Sequence, residues 1–85
     1  MRTASADKYR DEFIAVGLRI GYFRRQKAMT QDQLAERAGI SPGSLSQIEA
    51  PNLAVGISLA IIFAIAYALE IPAYKLLQIE EDFWK

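Results

Sequence analysis

The 85-residue sequence predicts an all-helical domain of five short helices, two of them joined as a helix-turn-helix. Three observations carry this. Apolar residues recur at three- and four-residue steps, the spacing of one helical face. Alternation of apolar and polar residues between turn pairs, the mark of a half-buried strand, is missing. Residues that start and stop helices sit where the apolar runs begin and end.

The first helix is expected over residues ~8–27, where Phe13, Val16, Ile20 and Phe23 share one face. Gly17 and Gly21 lie inside it. Each glycine weakens a helix by about 1 kcal/mol relative to alanine, but it also lets a neighbouring helix approach closely. Residues 1–7 are expected to be flexible. The second helix spans ~31–38: Thr30 with Gln33 three places on forms a capping box, and Gly39 suits the left-handed residue that ends a helix. The third spans ~42–49, with Ser41 as its cap and Pro42 in the first turn, where a missing N–H does no harm. Leu45 and Ile48 face inward, leaving Ser44, Ser46 and Gln47 for solvent or a partner.

"APNLAVGI", Ala50 to Ile57, reads as a loop. A fourth helix follows over ~59–69 with Ser58 as its cap. "EIPAYKLL" opens a fifth, with Pro72 near its start. Leu76, Ile79 and Phe83 keep the spacing of one face, so the tail 80–85 is expected to extend it. The domain itself runs over residues 8–79.

Composition narrows the function. An apolar content of 52% argues against disorder over the bulk of the chain. Cysteine and histidine are both absent, which removes disulfides, thiolate or imidazole metal sites and any triad that uses histidine. With no nucleophile–base pair, metal cluster or phosphate loop, no enzyme, cofactor or small-molecule ligand is expected. Residues 1–12, "MRTASADKYRDE", are too polar for a secretory signal, so the cytoplasm is the default location. The apolar run from Ile57 to Leu69 is shorter than the ~20 residues a membrane span needs. The length suits one domain, so control by a separate effector domain is not expected. Net charge is zero but uneven: residues 1–37 carry eight Lys or Arg against five Asp or Glu, and residues 38–85 carry two against five.

Two helices of about eight residues around a three-residue turn hold one exposed helix at a steep angle on a fixed support. At this point the sequence resembles the DNA-binding domain of the phage Cro and repressor type, the Xre-like, lambda-repressor-like fold. The resemblance covers roughly residues 18–77, through "LRIGYFRRQKAMTQDQLAERAGIS", "SLSQIE" and "SLAIIFAIAYALEIPAYKLL". Thr30-Gln31, Leu34-Ala35, Gly39-Ile40-Ser41 and Ile48-Glu49 fall at the family's spacing. The resemblance implies double-stranded DNA as partner and the third helix in the major groove. Pro42, Gly43, Ser46 and Gln47 match positions that face base edges, and a glutamine can pair bidentately with adenine. Gln31 matches a phosphate contact at a helix N-terminus. Thr30, Ser41, Ser44, Arg25, Lys27 and Asn52 are further candidates for the DNA backbone. Arg24 and Glu49 match an ion pair tying the first helix to the end of the third.

Three departures shape the expected function. The third helix has no Lys or Arg, which lowers the electrostatic part of DNA binding per subunit. The loop after Glu49 is uncharged. The fourth helix places Ala60, Ile61, Ala64 and Tyr67 where relatives have polar residues, so a second subunit or the tail should cover it. A homodimer through helices four and five follows, with Phe83 and Trp84 as a clamp. The leading expectation is a small dimeric repressor acting by promoter occlusion. The alternative is a protein-interaction module on the same fold, an antitoxin or adaptor with weak DNA binding.

Overall fold

The computed structural model describes residues 7–79. Five helices follow one another: α1 (Arg10–Gln26), α2 (Gln31–Ala38), α3 (Pro42–Glu49), α4 (Leu59–Leu69) and α5 (Tyr74–Leu77). No described residue lies in a strand. No helix among them is long and apolar enough to cross a membrane.

Local chemistry sets most boundaries. The Thr30 hydroxyl accepts from the Gln33 N–H at 3.0 Å, and the Gln33 side-chain oxygen accepts from the Thr30 N–H at 2.9 Å. Two helix donors that would otherwise go unpaired are thereby satisfied. Gly39 ends α2 at φ 74°, a left-handed conformation that costs an L side chain steric strain. The Ser41 hydroxyl accepts from the Ser44 N–H at the start of α3, and Ser58 does the same for Ile61 at the start of α4. Glu70, at φ 58°, closes α4 without the glycine usual there.

Packing completes the fold. Each helix sends at least one fully buried side chain to a shared core: Ile20, Leu34, Leu45, Ile65 with Leu69, and Leu76. Helices this short are marginal alone, so burial of these stripes holds them. Truncating one such leucine or isoleucine to alanine removes about 2–5 kcal/mol. α2 packs mainly on α4, while α1 runs across α3 and reaches α5.

The last helix is shorter than its pattern implies. α5 ends at Leu77, and Gln78 is extended at φ −80°, ψ 92°. In a continuing helix the Lys75 carbonyl would accept from Ile79. Here it accepts from Arg19 Nε at 2.7 Å, a bond that ties α5 to α1. Helical continuation through Ile79 is therefore corrected. The expectations for residues 1–6 and 80–85, including the roles of Phe83 and Trp84, lie outside the described residues.

Candidate nucleic-acid interface

α3 has two unlike sides. Leu45, Ile48 and Glu49 are buried, whereas Pro42, Gly43, Ser44, Ser46 and Gln47 are exposed. The exposed set contains the four residues expected to face base edges. Among the described residues, none hydrogen-bonds the side chains of Ser46 or Gln47. Both are free to pair with something outside the protein. The side of α3 that Leu45 and Ile48 bury is thus an anchor, and the opposite side is an outward-facing polar surface.

The anchor begins with glycine. A Cβ on Gly17 would fall inside the Ile48 carbonyl, so α1 and the end of α3 touch main chain to main chain. The second part is electrostatic. Arg24 Nε lies 2.9 Å from Glu49 Oε2, and Arg24 Nη2 donates to Oε1 at 2.9 Å, a two-pronged pair in a largely buried setting. Arg24 Nη1 also donates to the Met29 carbonyl at 2.8 Å, just ahead of α2. Gln31 Nε2 adds a bond to Glu49 Oε1 at 3.0 Å. One carboxylate therefore gathers the end of α1, the start of α2 and the end of α3. Among the described residues no buried side-chain nitrogen or oxygen is left unpaired.

The structure distributes the expected backbone-contact residues unevenly. Arg25, Lys27, Thr30, Ser41, Ser44 and Asn52 are all exposed. The Ser41 hydroxyl donates to Ser44 Oγ at 2.8 Å while accepting the Ser44 N–H, so the free hydroxyl proton of this pair is the one on Ser44. Gln31 is only half-exposed, and one hydrogen of its amide goes to Glu49. Its second amide hydrogen and the N–H groups at the start of α2 are what remain for an anion. Arg10 Nη2 donates to the Asn52 carbonyl at 3.1 Å, which ties the loop after α3 to α1 and leaves the Asn52 side chain outside. Sequence reasoning missed this bond and the Gln31–Glu49 bond. Both join residues far apart in the chain, and no local spacing announces them.

α4 requires one correction. Ile61 is half-buried and packs against the core, and Ala64 is half-buried as well. Ala60 and Tyr67 are exposed as expected, and the free row is Leu59, Phe63 and Tyr67, at four-residue steps, with Tyr67 87% exposed. The apolar surface exists, but it is turned from the expected register because Ile62, Ile65, Ala66 and Leu69 take the core.

A short α2, a left-handed glycine turn and an α3 presented on a buried anchor define a DNA-binding module of the helix-turn-helix class. The helix-turn-helix family matches the chain over residues 20–76. The chain belongs to this family in its Cro/repressor-type, Xre-like form, whose members are DNA-binding transcriptional regulators. Solved structures agree. The restriction-modification controller protein C.AhdI from Aeromonas hydrophila aligns with a TM-score of 0.70 at 26% identity, over 75% of this chain and 94% of that one. The clp gene regulator ClgR from C. glutamicum aligns with a TM-score of 0.68 at 30% identity, over 75% and 80%. The hypothetical transcription factor NHTF from Neisseria aligns with a TM-score of 0.75 at 27% identity, over 86% and 80%. No curated protein matches the chain at a significant level.

Proposed function

We propose that the protein is a sequence-specific repressor that binds operator DNA as a homodimer and blocks a promoter by occupying it. The observation that carries the reading is the exposed polar side of α3, Pro42, Gly43, Ser46 and Gln47, on a helix whose other side is fully anchored. In this reading Gln47 pairs with a base edge, adenine suiting its amide, and Ser46 takes a neighbouring one. Pro42 and Gly43 offer no side-chain hydrogen bond; they let the start of α3 approach the groove and leave reading there to DNA shape. Arg25, Lys27, Thr30 and Ser44 hold the phosphates, joined by the second amide hydrogen of Gln31, by Ser41 at the α3 cap and by the Asn52 side chain.

Pairing follows from energetics. An α3 without Lys or Arg neutralises few phosphates, so one subunit binds weakly. Two subunits placing their α3 helices one helical turn apart, about 34 Å, recover affinity. The row Leu59, Phe63 and Tyr67 supplies the contact, and Tyr74 of α5 is also exposed. Burying about 600 Å² of such surface contributes on the order of 15 kcal/mol before association costs. The work is assigned to the cytoplasm, where operator DNA is.

Selection of bound duplexes from a random pool tests the reading. A recurring two-fold-related motif is expected, and Gln47→Ala should relax one position of each half-site. A second reading, a protein-interaction module on this fold, draws on the uncharged α3. It takes over if the unaltered chain selects no motif and binds genomic and random duplexes equally weakly.

A further inference from the structure

A cleft of about 260 Å³ lies away from α3, lined by Tyr9, Glu12, Phe13 and Val16 on one side and by Leu77 and Ile79 on the other. Its α1 wall is a single stripe at three- and four-residue steps, and apart from Glu12 every lining side chain is hydrophobic or aromatic. We propose that this cleft is a docking site for the Phe83–Trp84 pair of the same chain.

Ile79 is itself part of the wall, so the segment that follows starts at the cleft's edge. Residues 80–85 read Glu-Glu-Asp-Phe-Trp-Lys, and their only apolar members are adjacent. Trp84 lies five positions beyond Ile79, within about 17 Å of it even in extended chain, and Phe83 lies nearer. A large aromatic side chain left in water forgoes the burial that such a site supplies. Charge agrees in both directions. The acidic run Glu80–Asp82 precedes the aromatic pair, and Lys8 adjoins Tyr9 of the cleft wall in sequence. The Lys8 ammonium sits 5.7 Å from the centre of the Tyr9 ring, a positive charge beside one lining residue. Lys85 follows the pair, and Glu12 is the carboxylate in the lining. The docked pair closes the α1–α5 seam that the Arg19–Lys75 bond begins. The proposal is independent of the DNA-binding reading.

Trp84 is the only tryptophan in the sequence, so its fluorescence reports this site alone. In the unaltered chain its emission should lie to the blue of a water-exposed indole, resist acrylamide, and stay the same on dilution. Leu77→Lys, which puts a charge on the half-exposed wall of the cleft, should move the emission to the exposed value while the helical circular dichroism is retained. Where that variant does not fold, nuclear Overhauser contacts from the Trp84 indole to Leu77 and Phe13 in the unaltered chain decide the matter. An exposed indole in the unaltered chain overturns the proposal. So does a blue shift that disappears on dilution, which assigns the pair to a second copy. A shielded Trp84 that ignores Leu77→Lys overturns it as well, by placing the pair on another surface.

Discussion

α3 and α4 are both short helices seated by branched aliphatic side chains, and their outer faces differ completely. α3 turns Ser44, Ser46 and Gln47 outward, whereas α4 turns Leu59, Phe63 and Tyr67 outward. Neither outer face carries a charge. A polar face with unspent donors and acceptors suits base edges, whose pattern is one of hydrogen bonds. An apolar face has nothing to offer a phosphate backbone and gains by meeting another apolar face. One small domain thus carries a hydrogen-bonding face and an apolar face on two separate helices.

The largest expected effect breaks the support under α3 while leaving α4 intact. Arg24→Met strips Glu49 of its two-pronged partner and leaves a buried carboxylate, a change worth about 3–5 kcal/mol of stability. Urea denaturation should show it as a lower midpoint, and a loss under 1 kcal/mol would mean that Gln31 and water suffice for Glu49. Tyr67→Glu breaks the other side. It should leave the folded helix content unchanged, convert a dimer to a monomer in sedimentation, and weaken operator binding without altering the selected half-site. A monomer already present in the unaltered chain at high micromolar concentration would remove the pairing role of α4. Gln47→Ala sharpens the reading side, with a loss of about 1–3 kcal/mol for one base pair and little for the rest. The smallest effect is that of Ser41→Ala, about 1 kcal/mol through the lost cap, visible in thermal melting. Salt titration bears on both faces at once: the slope per subunit should stay below that for roughly six phosphates.

Much of this was legible because it is written at short range. The capping box of Thr30 and Gln33, the Gly39 turn and the Ser41 and Ser58 caps all lie within three or four residues of what they control. The buried face of α3 follows from its apolar spacing, and the exposure of Gln47 is its complement. Gly17 was readable as a point of close approach, though not the carbonyl it meets. Less legible was anything set by distant partners. α4 is apolar nearly all round, so periodicity alone does not say which stripe is buried. Its contact with α2 decides that, and Ile61 falls on the flank rather than the free face. The early end of α5 goes with a bond from Arg19, 56 residues away from the carbonyl it binds. The base-facing roles expected of Pro42, Gly43 and Ser46 rest on likeness to relatives alone, since the residue types themselves are common on solvated helices.

The main-chain contact between Gly17 and Ile48 has a consequence for divergence. Because backbone abuts backbone there, the tilt of α3 does not depend on which side chains occupy its outer positions. On the proposed function, substitutions at Ser46 or Gln47 would retarget the protein to new operators without re-aiming the helix. The same contact makes Gly17 a position where almost no replacement is tolerated, since any side chain would push the two strands of main chain apart.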